Sequence, residues 1–160
     1  MAVTELPIYR ARIESSWIDY NGHLRDAYYG LVASYAVDDV MDHLGLDAAY
    51  RESTQCTLYT LELHMHYLHE VKGSDDLGVS SLILDFDRKR IYVGCRFICS
   101  RLTEPVAIAD MMLLHVRQAD KPSVASFPDT VLAKLKALKL SPAAAEAFGP
   151  SSRKIELKRR

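Results

Sequence analysis

The amino-acid sequence predicts an α+β fold in which an antiparallel sheet of five or six strands wraps around one long central helix. Residues 27–44 carry apolar side chains at three- and four-residue spacing, over most of the circumference of a helix. Residues 59–117 then contain four strand-like segments joined by short turns, the pattern of an antiparallel sheet. A sheet must bury one apolar face, and the long helix is the element available to cover it.

The residues on either side of the long helix predict where it begins and where it ends. Residues 6–15 predict a first strand, and residues 17–26 form a polar loop that contains Gly22. Asp26 is a good N-cap, and Gly45 is a plausible C-cap that directly follows the last apolar position of the helix. Because apolar residues surround its first three turns, we expect the helix to be enclosed on several sides.

The spacing of apolar residues and the positions of turn residues predict the remaining elements. They are a short helical turn at 46–53, strands at 59–67, 77–86, 90–100 and 106–117, and an amphipathic helix at 129–140. We interpret residues 1–160 as one domain, with a core at about 5–120 and a C-terminal helix and tail at 128–160. A curled sheet leaves an uncovered edge, so we expect a homodimer or homotetramer.

The composition excludes several classes of function. The 160 residues include 20 basic and 21 acidic side chains, whereas nucleic-acid-binding domains usually have a strong basic excess. There is no run of about 18 apolar residues, and residues 1–10 lack the apolar core of a signal peptide. Cys56, Cys95 and Cys99 form no CxxC pair, which fits a reducing compartment. We therefore expect a cytoplasmic protein whose partners are neither nucleic acid nor membrane.

The loop at the helix entrance carries a family resemblance. It reads WIDYNGHLRDAYY and contains Asp19, Gly22, His23 and Tyr28. In this segment, and in its order of elements over about residues 5–118, the chain resembles the 4-hydroxybenzoyl-CoA thioesterase branch of the hotdog superfamily. The strings YNGHLRDAYYGL, TLYTLELHMHYL and MLLHV are also similar to the thioesterases of bacterial carnitine breakdown. The resemblance implies a hotdog fold and hydrolysis of a short acyl-CoA, with betainyl-CoA as a candidate and no cofactor.

The resemblance implies that Asp19 is the central catalytic carboxylate, either as nucleophile or as general base. A thioester carbonyl also needs hydrogen-bond donors for its developing negative charge, and a helix N-terminus offers free N–H groups. Gly22 and His23 lie at that entrance, and the missing side chain of Gly22 permits close approach to either backbone. The alternatives are a turn residue for Asp19 and a loop histidine for His23.

Three polar residues on one predicted strand raise two further hypotheses. Glu62 shares a strand face with His64 and His66, and a carboxylate in mid-strand is disfavoured unless it has a role or a partner. We therefore include Glu62 among the candidate catalytic residues, against a solvent or subunit contact. His64, His66 and His69 also suggest a metal-dependent cupin-like enzyme, but His69 would point to the opposite face, so we expect no metal.

The acyl group of betainyl-CoA ends in a quaternary ammonium, which aromatic faces bind. The candidates for the substrate site are therefore the rings of Trp17, Tyr20 and Tyr28, together with the neighbouring Asn21. The alternative is ordinary packing for each ring and a turn-forming role for Asn21. The suitable rings in these segments are Trp17, Tyr20, Tyr28, Tyr29, Tyr59 and Tyr67. A non-catalytic hotdog module that binds an acyl-CoA is the main alternative to an enzyme.

Overall fold

A computed structural model describes residues 6–148. Its elements are β1 (Tyr9–Ala11), a short 3-10 turn (Ser15–Trp17), α1 (Asp26–Leu44), α2 (Ala48–Thr54), β2 (Cys56–Tyr67), β3 (Leu77–Phe86), β4 (Arg90–Ile98), β5 (Ala107–Arg117), β6 (Ser123–Val124), α3 (Asp129–Leu138) and α4 (Pro142–Ala147). The strands form one antiparallel sheet in the order β1-β3-β4-β5-β2, with β6 added to β5. The predicted α+β fold, a curled sheet around a long helix, is confirmed.

The two faces of the sheet differ in what they contact. On β4, and on β5 as far as Leu113, the odd-numbered residues, such as Phe97 and Met111, belong to the apolar core that includes α1. The even-numbered residues point to the other side, which we call the outer face. The strand pairing extends this division across the sheet, with irregularities between Thr60 and Glu62 on β2 and between Ile83 and Asp85 on β3.

The central helix is buried on one broad face only, so the expectation that it is enclosed on several sides is wrong for this chain. Its buried residues are Tyr29, Val32, Ala33, Ala36, Val37, Val40, Met41 and Leu44. Ser34, Tyr35 and Asp38 are exposed because the sheet curls over one side of the helix and leaves the other uncovered. Within residues 6–148 no helix is both long and apolar enough to cross a membrane.

Several predicted boundaries also change. The first strand is confined to Tyr9–Ala11, because only these residues pair with β3 before the chain turns at Ser15. Arg25 occupies the N-cap, and Asp26 is the first helical residue, whose carboxylate accepts the N–H of Ala27. Gly45 does end α1 in a left-handed conformation (φ 87°), as expected for a C-cap glycine.

The C-terminal segment, which was expected to be a tail after the last helix, packs against the sheet. Leu140 donates its N–H to the carbonyl of Ile83, beside β3, and α4 follows on the outer side. The buried ring of Phe148 lies directly over Gly94 of β4, where an added Cβ would be only 2.7 Å from the ring. The guanidinium of Arg96 is 5.2 Å from the centre of the same ring. This part of the outer face is therefore covered by the chain's own C-terminal segment.

One buried histidine joins three elements. The Nδ1 atom of His115 is 2.9 Å from the carbonyl oxygen of Ala125, and its Nε2 atom is 2.9 Å from the hydroxyl of Tyr50. Because a carbonyl only accepts, Nδ1 carries the proton and Nε2 accepts from Tyr50. The ring also stacks on Phe127 at 4.7 Å. Burial lowers the pKa of His115 and favours this neutral form.

This histidine predicts a pH dependence of stability. Below the ordinary histidine pKa of about 6.5, the unfolded chain takes up a proton at His115 before the folded chain does. The free energy of unfolding, measured by urea denaturation, should therefore fall between about pH 7.5 and about pH 5.5. We expect His115→Gln to be less stable at neutral pH and to have a smaller pH slope. An unchanged slope in this variant would contradict the assignment.

Candidate active site

The loop before α1 is a tight hairpin closed by hydrogen bonds at both ends. Asp19 donates its N–H to the carbonyl of His23 at 2.8 Å, and Gly22 donates to the carbonyl of Asp19 at 3.0 Å. Gly22 has φ +79°, the left-handed conformation that closes a three-residue hairpin loop and that favours glycine. Ile18 and Leu24 pair across the base. The loop thereby returns the chain to the start of α1 with Asp19 close to the helix entrance.

The carboxylate of Asp19 is held by this same backbone. Its Oδ1 atom accepts the N–H of Asn21 at 2.8 Å and that of His23 at 3.0 Å. The N–H of His23, supported by that of Asn21, holds the pKa of the Asp19 carboxyl below its ordinary value. Within residues 6–148 the second oxygen, Oδ2, accepts no hydrogen bond. Asp19 is therefore an ionised carboxylate at neutral pH with one oxygen fixed and the other available.

The same bonds change the expectation for Gly22 and His23. Both backbone N–H groups donate to Asp19, so neither is free to bind a substrate oxygen in this conformation. Leu24 donates to the carbonyl of Val71 at 2.7 Å, and Arg25 donates to that of Trp17 at 3.0 Å. The next N–H along the chain is that of Asp26, which as the first helical residue has no intrahelical acceptor. This donor was not predicted from the sequence, because Asp26 was expected to be the N-cap residue and not the first helical residue.

An open cleft of about 340 Å³ lies where the end of β2 meets the start of α1. It is lined by Asp19, His23, Leu24, Asp26, Tyr29, Tyr67, Leu68, His69 and Glu70. Three of these nine residues are carboxylates and none is a lysine or arginine. The cleft is therefore acidic, and the carboxylate of Asp19 and the start of α1 belong to the same cavity.

The far wall of the cleft is held by the loop that follows β2. Glu70 lies opposite His23, with 3.7 Å between Oε2 and Nε2. Arg101 fixes this loop by donating to the carbonyl of Glu70 at 2.8 Å and to the carboxylate of Asp75 at 3.0 Å. Hydrogen bonds thus hold the main chain of His23 on one side of the cleft and that of Glu70 on the other.

The aromatic residues predicted for the substrate site do not meet in the cleft. Trp17 and Tyr28 stack on each other, with ring centres 5.1 Å apart and planes at 12°, and neither lines the cavity. The side chain of Tyr20 is 91% exposed at the tip of the loop. Asn21 is also exposed, and its N–H orients Asp19. The tyrosines that line the cleft are Tyr29 and Tyr67, two of the six aromatic residues that the sequence suggested for binding the ammonium group.

Glu62 lies on the outer face of the sheet, away from this cleft. It pairs with Met112 of β5, whose side chain points away from α1. It is also five residues before the end of β2, or about 16 Å at the usual strand rise. Within this chain Glu62 is therefore not brought together with Asp19, because the strand register turns it to the other side of the sheet.

The outer face holds a polar cluster of its own. Asp110, which is nearly buried, accepts the hydroxyl of Tyr92 at 2.8 Å, and its Oδ2 is 3.6 Å from Nδ1 of His64. His66 shares this face, whereas His69 follows the strand and lines the cleft. Within residues 6–148 the His, Cys, Asp and Glu side chains form no group of three or more arranged to hold a metal ion.

Comparisons with known proteins agree with this geometry. A family model described as the thioesterase-like superfamily matches residues 13–135. The betainyl-CoA thioesterase of Pseudomonas aeruginosa is 42% identical over 133 residues, which cover 83% of this chain and 83% of that protein. The match includes the greater part of both chains.

Two solved structures are similar over nearly their whole length. The crystal structure of a proposed thioesterase from Pseudomonas putida KT2440 is 36% identical, covers 99% of both chains and superposes with a TM-score of 0.78. A hypothetical protein from Staphylococcus aureus, solved in complex with CoA, is 25% identical, covers 94% of both chains and has a TM-score of 0.81.

Proposed function

Because the chain belongs to the thioesterase-like superfamily and has the hotdog fold, we propose that it hydrolyses a short acyl-CoA thioester, betainyl-CoA, to the free acid and CoA. The observation that carries this proposal is the carboxylate of Asp19, which two backbone N–H groups hold in a cleft at the start of α1. The 42% identity to a betainyl-CoA thioesterase supports the choice of substrate.

Asp19 has two chemically complete roles in this reaction. As a nucleophile, Oδ2 attacks the thioester carbonyl carbon, the C–S bond breaks, CoA leaves as the thiolate, and water hydrolyses the resulting mixed anhydride. As a general base, Asp19 takes a proton from water while the water oxygen attacks the same carbon; the tetrahedral intermediate then collapses, the C–S bond breaks, and the CoA thiolate leaves and takes up the proton. Both routes place negative charge on the carbonyl oxygen, which the N–H of Asp26 and the dipole of α1 stabilise.

A hydrolysis assay over several acyl-CoA substrates tests the proposal. We expect turnover of betainyl-CoA to exceed that of acetyl-CoA and of a long-chain acyl-CoA, because the cleft is short, open and acidic. Release of CoA is followed with a thiol reagent. Tight binding of acyl-CoA without any release of CoA would favour the non-catalytic binding module instead.

We further propose that the active form is a dimer or a dimer of dimers with the cleft at the subunit boundary. β2 is a twelve-residue edge strand, and such strands readily pair with another chain. Large apolar side chains are exposed along β2 and just after it: Tyr59, Leu61, Leu63, Tyr67 and Leu68. The register places Tyr59 on the outer face, beside Leu114, and Leu63 and Tyr67 on the face of α1. Antiparallel pairing of two copies of β2 would bring the second subunit against side chains on both faces, and Tyr67 and Leu68 also line the cleft.

We also propose a cytoplasmic location. Cys56, Cys95 and Cys99 are buried and form no disulfide. Burial raises the pKa of the Cys95 thiol to about 12, so this residue stays protonated and packs as a small apolar side chain. Three buried free thiols suit a reducing compartment.

A further inference from the structure

Two tyrosine rings form a right-angled corner in the cleft. The ring centres of Tyr29 and Tyr67 are 5.2 Å apart and their planes meet at 86°. Tyr29 is buried and packs against Phe97, whereas about half of Tyr67 is exposed. The hydroxyl of Tyr67 donates to the carbonyl of Asp26 at 3.2 Å, which fixes this ring at the start of α1. Burial raises the pKa of Tyr29 to about 12, so its ring stays neutral and electron-rich.

Three carboxylates line the cleft beside this corner, while Arg25 near Asp19 and Arg101 near Glu70 lie outside its lining. These carboxylates belong to Asp19, Asp26 and Glu70. The Oε2 atom of Glu70 lies 3.7 Å from Nε2 of His23. In so small a cavity a cationic group is attracted by all three carboxylates, whereas an anionic group is repelled. The acidic lining therefore suits a cationic acyl group better than the anionic nucleotide of CoA.

The betainyl group matches these features in size and charge. Its nitrogen is bonded to the carbon next to the thioester carbonyl, so the charge lies only about 2.5 Å from the carbon that reacts. A quaternary ammonium has no N–H to donate, and proteins bind it with aromatic faces and nearby carboxylates. The group that binds the cation must consequently share the cavity with Asp19, as Tyr29 and Tyr67 do.

We propose that the corner between Tyr29 and Tyr67, together with the carboxylates of Asp26 and Glu70, holds the quaternary ammonium of the substrate and determines specificity. The inference rests on the proposed thioesterase function and adds the residues that select the acyl group. Tyr67 is the residue of this site to mutate, because its ring is half exposed and its replacement does not open the core.

The test compares betainyl-CoA with 3,3-dimethylbutyryl-CoA, which has the same shape without the charge. Tyr67→Leu should lower kcat/KM for betainyl-CoA, relative to kcat/KM for the neutral substrate, roughly threefold to thirtyfold, the range of one cation–π contact. Tyr67→Phe retains the ring and should retain the preference. Tyr35→Leu is a matched control, because Tyr35 is a tyrosine of α1 that packs on Tyr9 outside the cleft. Glu70→Gln removes a charge at constant shape and should lower the preference in the same direction.

Equal losses for both substrates in Tyr67→Leu and in Glu70→Gln would overturn the cation site and leave the thioesterase function standing. A second measurement does not depend on turnover. It compares, by calorimetry, the affinity of the protein for glycine betaine with its affinity for 3,3-dimethylbutyrate. Wild-type protein should bind betaine more tightly, and Tyr67→Leu should remove that difference. Hydrolysis of neither thioester would reject the proposed function, while equal binding of the two acids would reject the cation site independently.

Discussion

Replacing Asp19 with asparagine is expected to lower kcat by on the order of a hundredfold or more, with the fold intact. The amide oxygen still accepts the N–H groups of Asn21 and His23, so the hairpin keeps its hydrogen bonds. The amide can neither attack the thioester carbonyl nor take a proton from water at neutral pH. The measurement is steady-state release of CoA, with circular dichroism and thermal unfolding to establish that the variant is folded.

Glu62→Gln is the matched control for this experiment. Glu62 is the other carboxylate that the sequence suggested for catalysis, but it lies on the outer face of the sheet, paired with Met112. We expect this variant to retain normal turnover. Near-normal turnover in Asp19→Asn, together with a large loss in Glu62→Gln, would transfer the catalytic role to Glu62, acting on a cleft of the partner subunit.

Introducing a charge on β2 is expected to have the second large effect. Leu63→Lys should convert the proposed dimer to a monomer at micromolar concentration, because a twofold interface would bury two unpaired ammonium groups at once. Each such group costs several kcal/mol when it loses water without gaining a partner. Sedimentation velocity measures the change, and activity should fall with it, since the cleft includes residues at the end of the same strand.

Val124→Lys is the control for this assembly experiment. Val124 is an exposed apolar residue of β6, a short strand paired with β5 and not part of the β2 edge. We expect this variant to assemble like the wild type. A wild-type chain that sediments as a fully active monomer at micromolar concentration would contradict the proposed assembly.

The long elements could be predicted from sequence because their patterns are local. Apolar spacing in α1 and alternation in β2 report burial directly, and both elements are present close to their predicted bounds. The burial of α1 on one face only could not be predicted, since Tyr35 and Val40 are both apolar and only the curl of the sheet decides which one is covered.

The site was harder to predict because it depends on contacts between distant residues. The bond from Leu24 to Val71 fixes where the loop joins α1, and hence which N–H is free at the helix start. The face occupied by Glu62 depends on pairing with β5 and on an irregularity in β2 next to it, which alternation alone does not define. Trp17 and Tyr29 were equally suitable rings by composition, but Trp17 stacks on Tyr28, whereas only Tyr29 lines the cleft.

The contact between Gly94 and Phe148 has an evolutionary consequence. A side chain at position 94 would collide with the ring, since even a methyl group would lie 2.7 Å from it. Losing the ring would leave an apolar hollow on the outer face that a larger residue at position 94 could fill. Within the family the two positions should therefore co-vary, glycine occurring with the aromatic residue and a larger side chain without it. Among homologues, the residue at position 94 would then reveal whether the C-terminal segment takes the same path over the sheet.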